Sequence, residues 1–355
     1  MAIPNAPWPW ILLAAVQCAT IGVMKTYGAD EFLDLAAVGV GPSALAVLHA
    51  AKAAGLRAVG IDKGPVCGAL MRHPTYMRWF STSDKLELPG LPLITQENNP
   101  NRREYLKYCS AYVRHHGLEI NTYREVTAIA PDEAGFTVTA RDMFGRECQW
   151  RARNVVAATG FYDSPRMLDV PGEDLPKVTH RYTEPHPYVD QEALVVGGGS
   201  SAAEAALELW RAGAHVTVVM RGERFNTKYW IEPDLENRIA EGSITACRNT
   251  AVEAIYPDEV DLRDASGNRF TIPNDFVLAM TGYEPDTTLL ESAGAEVDPA
   301  TGKPVLTEHL ESTVPGLYVC GTLTAGMDSN VAFVENSREH GAPIVNHILT
   351  KSQQP

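Results

Sequence analysis

The stretch DLAAVGVGPSALAVLHAAKAAG, residues 34–55, has a near-twin later in the chain, EALVVGGGSSAAEAALELWRAG, residues 192–213. In each, an apolar run (Leu35 to Val38; Ala193 to Val196) meets Gly-x-Gly, and an alanine-rich segment follows and ends in glycine. Gly39, Gly41, Ala44 and Gly55 of the first copy match Gly197, Gly199, Ala202 and Gly213 of the second. A strand that turns on glycine into a helix is the opening of a dinucleotide-binding unit. The first glycine allows the bend, the second lets backbone approach a pyrophosphate, and a small third residue lets helix and strand touch. The phosphates then meet free N–H groups and the favourable dipole at a helix N-terminus. One such turn is a weak signal. Two in the same strand–turn–helix context predict an α/β protein with two Rossmann-type domains.

The residue that closes the following strand separates the two nucleotides. Asp62 ends RAVGID, where a carboxylate binds a ribose hydroxyl pair, and Lys63 follows it. The equivalent place in the second copy is Met220, with Arg221 and Arg224 just after it. Guanidinium groups there suit a 2′-phosphate. The first turn, with Pro42, Ser43 and Ala44, is therefore expected to hold FAD. The second, with Ser200 and Ser201, is expected to hold NADPH in preference to NADH.

Each unit continues in the same way. INTYREVTAIAP, GFTVTARD and ECQWRARNVVAATG read as an antiparallel meander that ends in Ala158-Thr159-Gly160. SITACRNTAVEAIYP, EVDLRDASG and RFTIPNDFVLAMTG repeat it and end in Thr281-Gly282. Both Thr-Gly pairs are expected to pass a nucleotide, as is Val126 in the first meander. Near the C-terminus, Gly321 and Thr322 form another turn, and a helix starting near Val331 and Ala332 would aim amides at a flavin ring. The expected domains are FAD-binding (30–165 and 286–348) with an NADPH-binding domain (166–285) inserted. The connections Pro165 to Tyr188 and Gly282 to Asp286 are candidate hinges.

Composition fits a soluble enzyme: 45% hydrophobic residues fill two cores, and a net charge of −14 argues against nucleic acid or an anionic membrane as partner. The six cysteines show no C-x-x-C and no zinc spacing, and neither cysteines nor histidines form a metal set, which predicts reduced thiols and a cytoplasmic setting. PWPWILLAAVQCATIGVM, residues 7–24, is apolar but short for a membrane span and lacks a basic start. Residues 1–29 are expected to lie outside the fold, with Met24 as the natural start.

The whole layout resembles the thioredoxin-reductase class of flavoproteins. HPTYMRWFSTSDKLEL, VPGEDLPKVTHRY, NTKYWIEPDLENRI, IPNDFVLAMTGYEPD and AFVENSREHG are similar to the bacillithiol-disulfide reductase family. That resemblance, from Met24 to about Ile348, implies non-covalent FAD, NADPH as donor, a cytosolic homo-oligomer and reduction of a low-molecular-weight disulfide. Two departures bear on catalysis. The missing C-x-x-C excludes thioredoxin reductase itself, and the cysteine the family carries after G-x-G-P is Ser43 here. A serine hydroxyl forms no mixed disulfide. Ser43 and Cys67 are thus the candidate catalytic positions, with Cys320 read as a buried strand residue. A flavin-dependent monooxygenase, which needs no cysteine, is the alternative, and a non-catalytic nucleotide-binding protein is the third reading.

Overall fold

The computed structural model describes residues 32–328 and 331–352; the expectation for residues 1–29 lies outside them. The first sheet grows around Phe32–Val38, a run buried on both faces and therefore apolar nearly throughout. Parallel neighbours are Ala58–Ile61 on one side and Glu147–Ala157 on the other, in register at Val38, Ile61 and Ala157. Gly135–Asp142 and Arg124–Asp132 extend the sheet antiparallel, and Glu119–Asn121 closes its opposite edge. Leu317–Val319 returns from the C-terminal part of the chain to pair parallel with the end of Glu147–Ala157. Leu35 and Ala37 face one core cluster, with the helix Pro42–Ala53 and Tyr105, Tyr108 and Tyr112. Ala36 and Val38 face the other, with Phe136, Val138 and Trp150.

The second sheet has five parallel strands in the order Ile244–Cys247, His215–Val219, Glu192–Val196, Phe276–Ala279 and Val178–Thr179. The helix Ser200–Ala212 packs on it and ends at Gly213, in the left-handed backbone region favoured for a helix C-terminus.

The two meanders differ in one respect. In the first, the strand Glu147–Ala157 is continuous, joining meander and parallel sheet. In the second, Thr250–Ile255, Glu259–Asp264 and Arg269–Pro273 form a separate three-stranded sheet. Pro273 has no N–H to carry a ladder onward, and the chain restarts at Phe276. Between the sheets the chain crosses twice, and the crossings meet as a two-residue antiparallel pair, Ser164–Pro165 with Tyr283–Glu284.

Candidate functional site

Both glycine turns open onto one cavity of about 2440 Å³. The local construction repeats. Gly39 N–H donates to Ile61 O at 2.7 Å and Gly197 N–H to Val219 O at 2.9 Å, tying each turn to the next strand. A Cβ on Gly39 would stand 2.4 Å from Ala158 O, and one on Gly197 would stand 2.4 Å from Met280 O. The first glycine of each turn therefore makes room for the Thr-Gly strand beside it. At Gly41 and Gly199 an added Cβ meets nothing within 4 Å, because both face the open cavity.

The other expected nucleotide residues also line this cavity. They are Pro42, Ser43, Ala44, Asp62, Lys63, Val126, Ala158, Thr159, Gly160, Gly321, Thr322 and Ala332 around the first turn, and Ser200, Ser201, Arg221, Arg224, Thr281 and Gly282 around the second. Asp62 accepts Val40 N–H at 2.6 Å and Gly64 N–H at 2.7 Å, so each carboxylate oxygen keeps a free lone pair. Burial raises its pKa, and those two N–H groups oppose the rise. Thr159 Oγ1 is buried with no hydrogen-bond partner among the described residues. Arg221 and Arg224 are exposed at the second turn.

Other side chains have partners within the protein. Lys63 Nζ lies 2.8 Å from Asp163, and Thr281 Oγ1 donates to Arg166 O at 2.6 Å. Ser43, buried at the start of the first helix, donates to Ser337 Oγ at 2.8 Å, and Ser337 donates to Phe333 O at 2.6 Å. Cys67 lines the cavity but is only 2% exposed. The adjacent Cys109 thiol, burial and the Asp62 carboxylate push its pKa well above the ordinary value. Burial pushes Cys320 up to about 12. Nucleophilic exchange needs a thiolate, and that form is disfavoured at both sites, by Cys109 and burial at Cys67 and by burial at Cys320. The five described cysteines are all free thiols.

The seam between the sheets holds residues the sequence reading did not single out. The Tyr162 ring stacks on His73 at 4.2 Å and meets Tyr283 at 4.4 Å. Asp163 pairs with Lys63 and Arg72. Lys228 of the second unit stands 5.3 Å over the ring of Phe80 in the first, and Thr75 N–H donates to Thr183 O at 2.7 Å. One signal was available: each Thr-Gly pair is followed by aromatics, Phe161 and Tyr162 in one case and Tyr283 in the other.

One mixed and one parallel sheet, each with a glycine turn lining the same cavity, form the frame of a two-dinucleotide oxidoreductase. The chain belongs to the pyridine nucleotide-disulphide oxidoreductase family, which it matches over residues 36–321. It is an enzyme with a thioredoxin-reductase-like fold, and its cofactors are FAD and NADPH. Within that family it is similar to the bacilliredoxin reductase Bdr of Bacillus subtilis, at 38% identity over 88% of this chain and 97% of the relative. The solved bacillithiol disulfide reductase Bdr of Bacillus cereus is 35% identical, covers 90% of this chain and all of its own (100%), and superposes with a TM-score of 0.88. A Lactococcus lactis thioredoxin reductase, 18% identical, shares the fold with a TM-score of 0.72 over 90% of this chain and 98% of its own. The cavity fits both cofactors: Gly41 and Gly199 leave open the space a pyrophosphate needs, and the Thr159 hydroxyl awaits a partner. No helix among the described residues is long and apolar enough to cross a membrane.

Proposed function

We propose that this protein uses NADPH to reduce the disulfide of a low-molecular-weight thiol, bacillithiol disulfide being the substrate named for its relatives. The observation that carries the reading is the single cavity shared by both glycine turns. Bound FAD would accept a hydride from NADPH and hand two electrons to the acceptor. The protein's share is binding and position. The backbone at Gly41 and Gly199, each beside a helix N-terminus, would cradle the pyrophosphates. Asp62 would take the ribose hydroxyls, and Arg221 with Arg224 the 2′-phosphate. Thr159, Val126, Gly321, Thr322 and Ala332 would surround the flavin.

The acceptor step is where this chain departs from the expected chemistry. Ser43 carries no thiol, and Cys67 is buried, with its thiolate disfavoured by the neighbouring Cys109, by burial and by Asp62. That observation favours a second reading, an acceptor such as dioxygen that takes electrons without thiol exchange. One titration separates the two: NADPH consumption with oxidised bacillithiol as sole acceptor under nitrogen, against the same enzyme in air. Turnover on the disulfide supports the first reading; turnover only with oxygen replaces it. The resemblance also points to a cytosolic homo-oligomer, which gel filtration with light scattering would test.

A further inference from the structure

We propose that Asp163 is a positioning residue for the NADPH-dependent step, clamping the two-strand connection so that both nucleotide cradles stay open to one another. The inference rests on the two-nucleotide reading of the cavity, and it concerns the seam that reading leaves unassigned.

The two crossings between the sheets are tied to each other. Arg166 N–H donates to Gly282 O at 3.0 Å, and Thr281 Oγ1 donates to Arg166 O at 2.6 Å. A ribbon bound to itself swings as one piece unless something holds it to the domains. Asp163 lies in that ribbon and is held from both sides. From the first domain, Lys63 Nζ approaches its carboxylate at 2.8 Å, and Arg72 pairs with the same group. From the second, Arg181 Nη2 donates to Tyr162 O at 3.2 Å and Asp163 O at 3.1 Å. Tyr162 locks the pivot: its ring lies between His73 and Tyr283, and its hydroxyl donates to Arg72 O at 3.2 Å.

Three cations thus converge on one carboxylate and its main chain. The Nε atoms of Arg72 and Arg181 are buried and have no hydrogen-bond partner among the described residues. The carboxylate of Asp163 holds Lys63 and Arg72, whereas Arg181 is held by the carbonyls of Tyr162 and Asp163 and lies 5.9 Å over the Tyr162 ring. Remove the anion, and Lys63 and Arg72 of the first domain lose the carboxylate they share, while the carbonyl contacts of Arg181 remain. The two cations then regain solvation by turning to water, which frees the ribbon from the first domain and opens the seam. Lys228 of the second unit also stands over Phe80 of the first, and both line the cavity.

The test is Asp163→Asn, which keeps the shape and removes the charge. Hydrogen exchange in segments 159–166 and 280–284 reads the ribbon without any cofactor. Stopped-flow reduction of the flavin by NADPH under nitrogen reads its consequence. The expected result is exchange at least tenfold faster in both segments and reduction about tenfold slower, with bound flavin retained and both effects reversed in part by Asp163→Glu. Unchanged exchange overturns the clamp. So does faster reduction, which shows that the contact holds the cradles apart. A wild-type protein that binds no flavin, or whose flavin NADPH leaves oxidised, overturns the two-nucleotide reading instead, while the exchange result still stands or falls separately.

Discussion

The two glycines of the first turn have different duties, and they should fail differently. Gly39 has a φ of +91°, and a Cβ there would stand 2.4 Å from Ala158 O. Gly39→Ala is expected to damage the fold itself, lowering unfolding free energy by roughly 2–4 kcal/mol, through strained backbone and a main-chain clash. Gly41→Val adds a Cβ that has no protein atom within 4 Å. It should leave the melting curve of the flavin-free protein nearly unchanged and yield a colourless preparation; a yellow Gly41→Val would show that the pyrophosphate lies elsewhere. Arg221→Ala removes a charge-assisted phosphate contact. NADPH affinity should fall about tenfold, roughly 1.5 kcal/mol, while NADH binding holds. Equal weakening of both, measured by fluorescence titration, would exclude a 2′-phosphate role. The residue types at these positions were legible because they answer to backbone geometry and charge, which spacing alone reveals. Lys63 was only half legible. Its place beside Asp62 was clear, but its partner Asp163 lies 100 residues on in the sequence.

At the scale of elements, the helix Arg102–His116 shows how local signals and tertiary contacts divide the work. Its start is written locally: Asn101 and Glu104 form a capping box. Its buried face is set by the fold, with hydroxyls of Tyr105, Tyr108 and Tyr112 donating to Leu86 O, Leu91 O and Pro89 O. At its end, His116 lies 4.0 Å from His49 of the first helix. Burial lowers the pKa of both; His115 adds to this for His49, and His49, His115 and Lys52 add for His116. The unfolded chain therefore binds more protons once the pH drops below about 6.5. Stability from this contact is complete above that pH and lost below it. The melting temperature should fall between pH 7.5 and 5.5, and His116→Phe should flatten that slope; an unaltered slope would remove the pair as its cause. The meanders were readable from alternation, but not that one runs on into its sheet while the other stops at Pro273. Strand continuity depends on neighbours as well as on pattern.

At the scale of the molecule, a cavity this large is shaped to be filled, and its occupant is part of the stability of the protein. Stripping bound flavin should lower the melting temperature, and FAD should restore it, because ligand binding to the folded state adds free energy by mass action. FMN should restore little, since it lacks the adenosine half that the stretch from Gly39 to Asp62 is built to receive. Equal rescue by FMN would contradict that assignment. The seam clamp belongs to this scale too. Linkers rich in proline and glycine announced two crossings, but nothing in their composition announced that they pair with each other or that Arg72 and Arg181 converge on them.

The sequence by itself determined the two strand–turn–helix units, their order along the chain and the charged side chains that follow each. Those features depend on contacts within some thirty residues, where strand, turn and helix follow one another and periodicity carries the information. Only the tertiary structure decided that both cradles share one cavity, that Ser43 bonds to Ser337, and that Cys67 is sealed beside Cys109. Each joins residues far apart in the chain. Burial and the relative placement of two sheets come from how surfaces pack, and no local pattern encodes them.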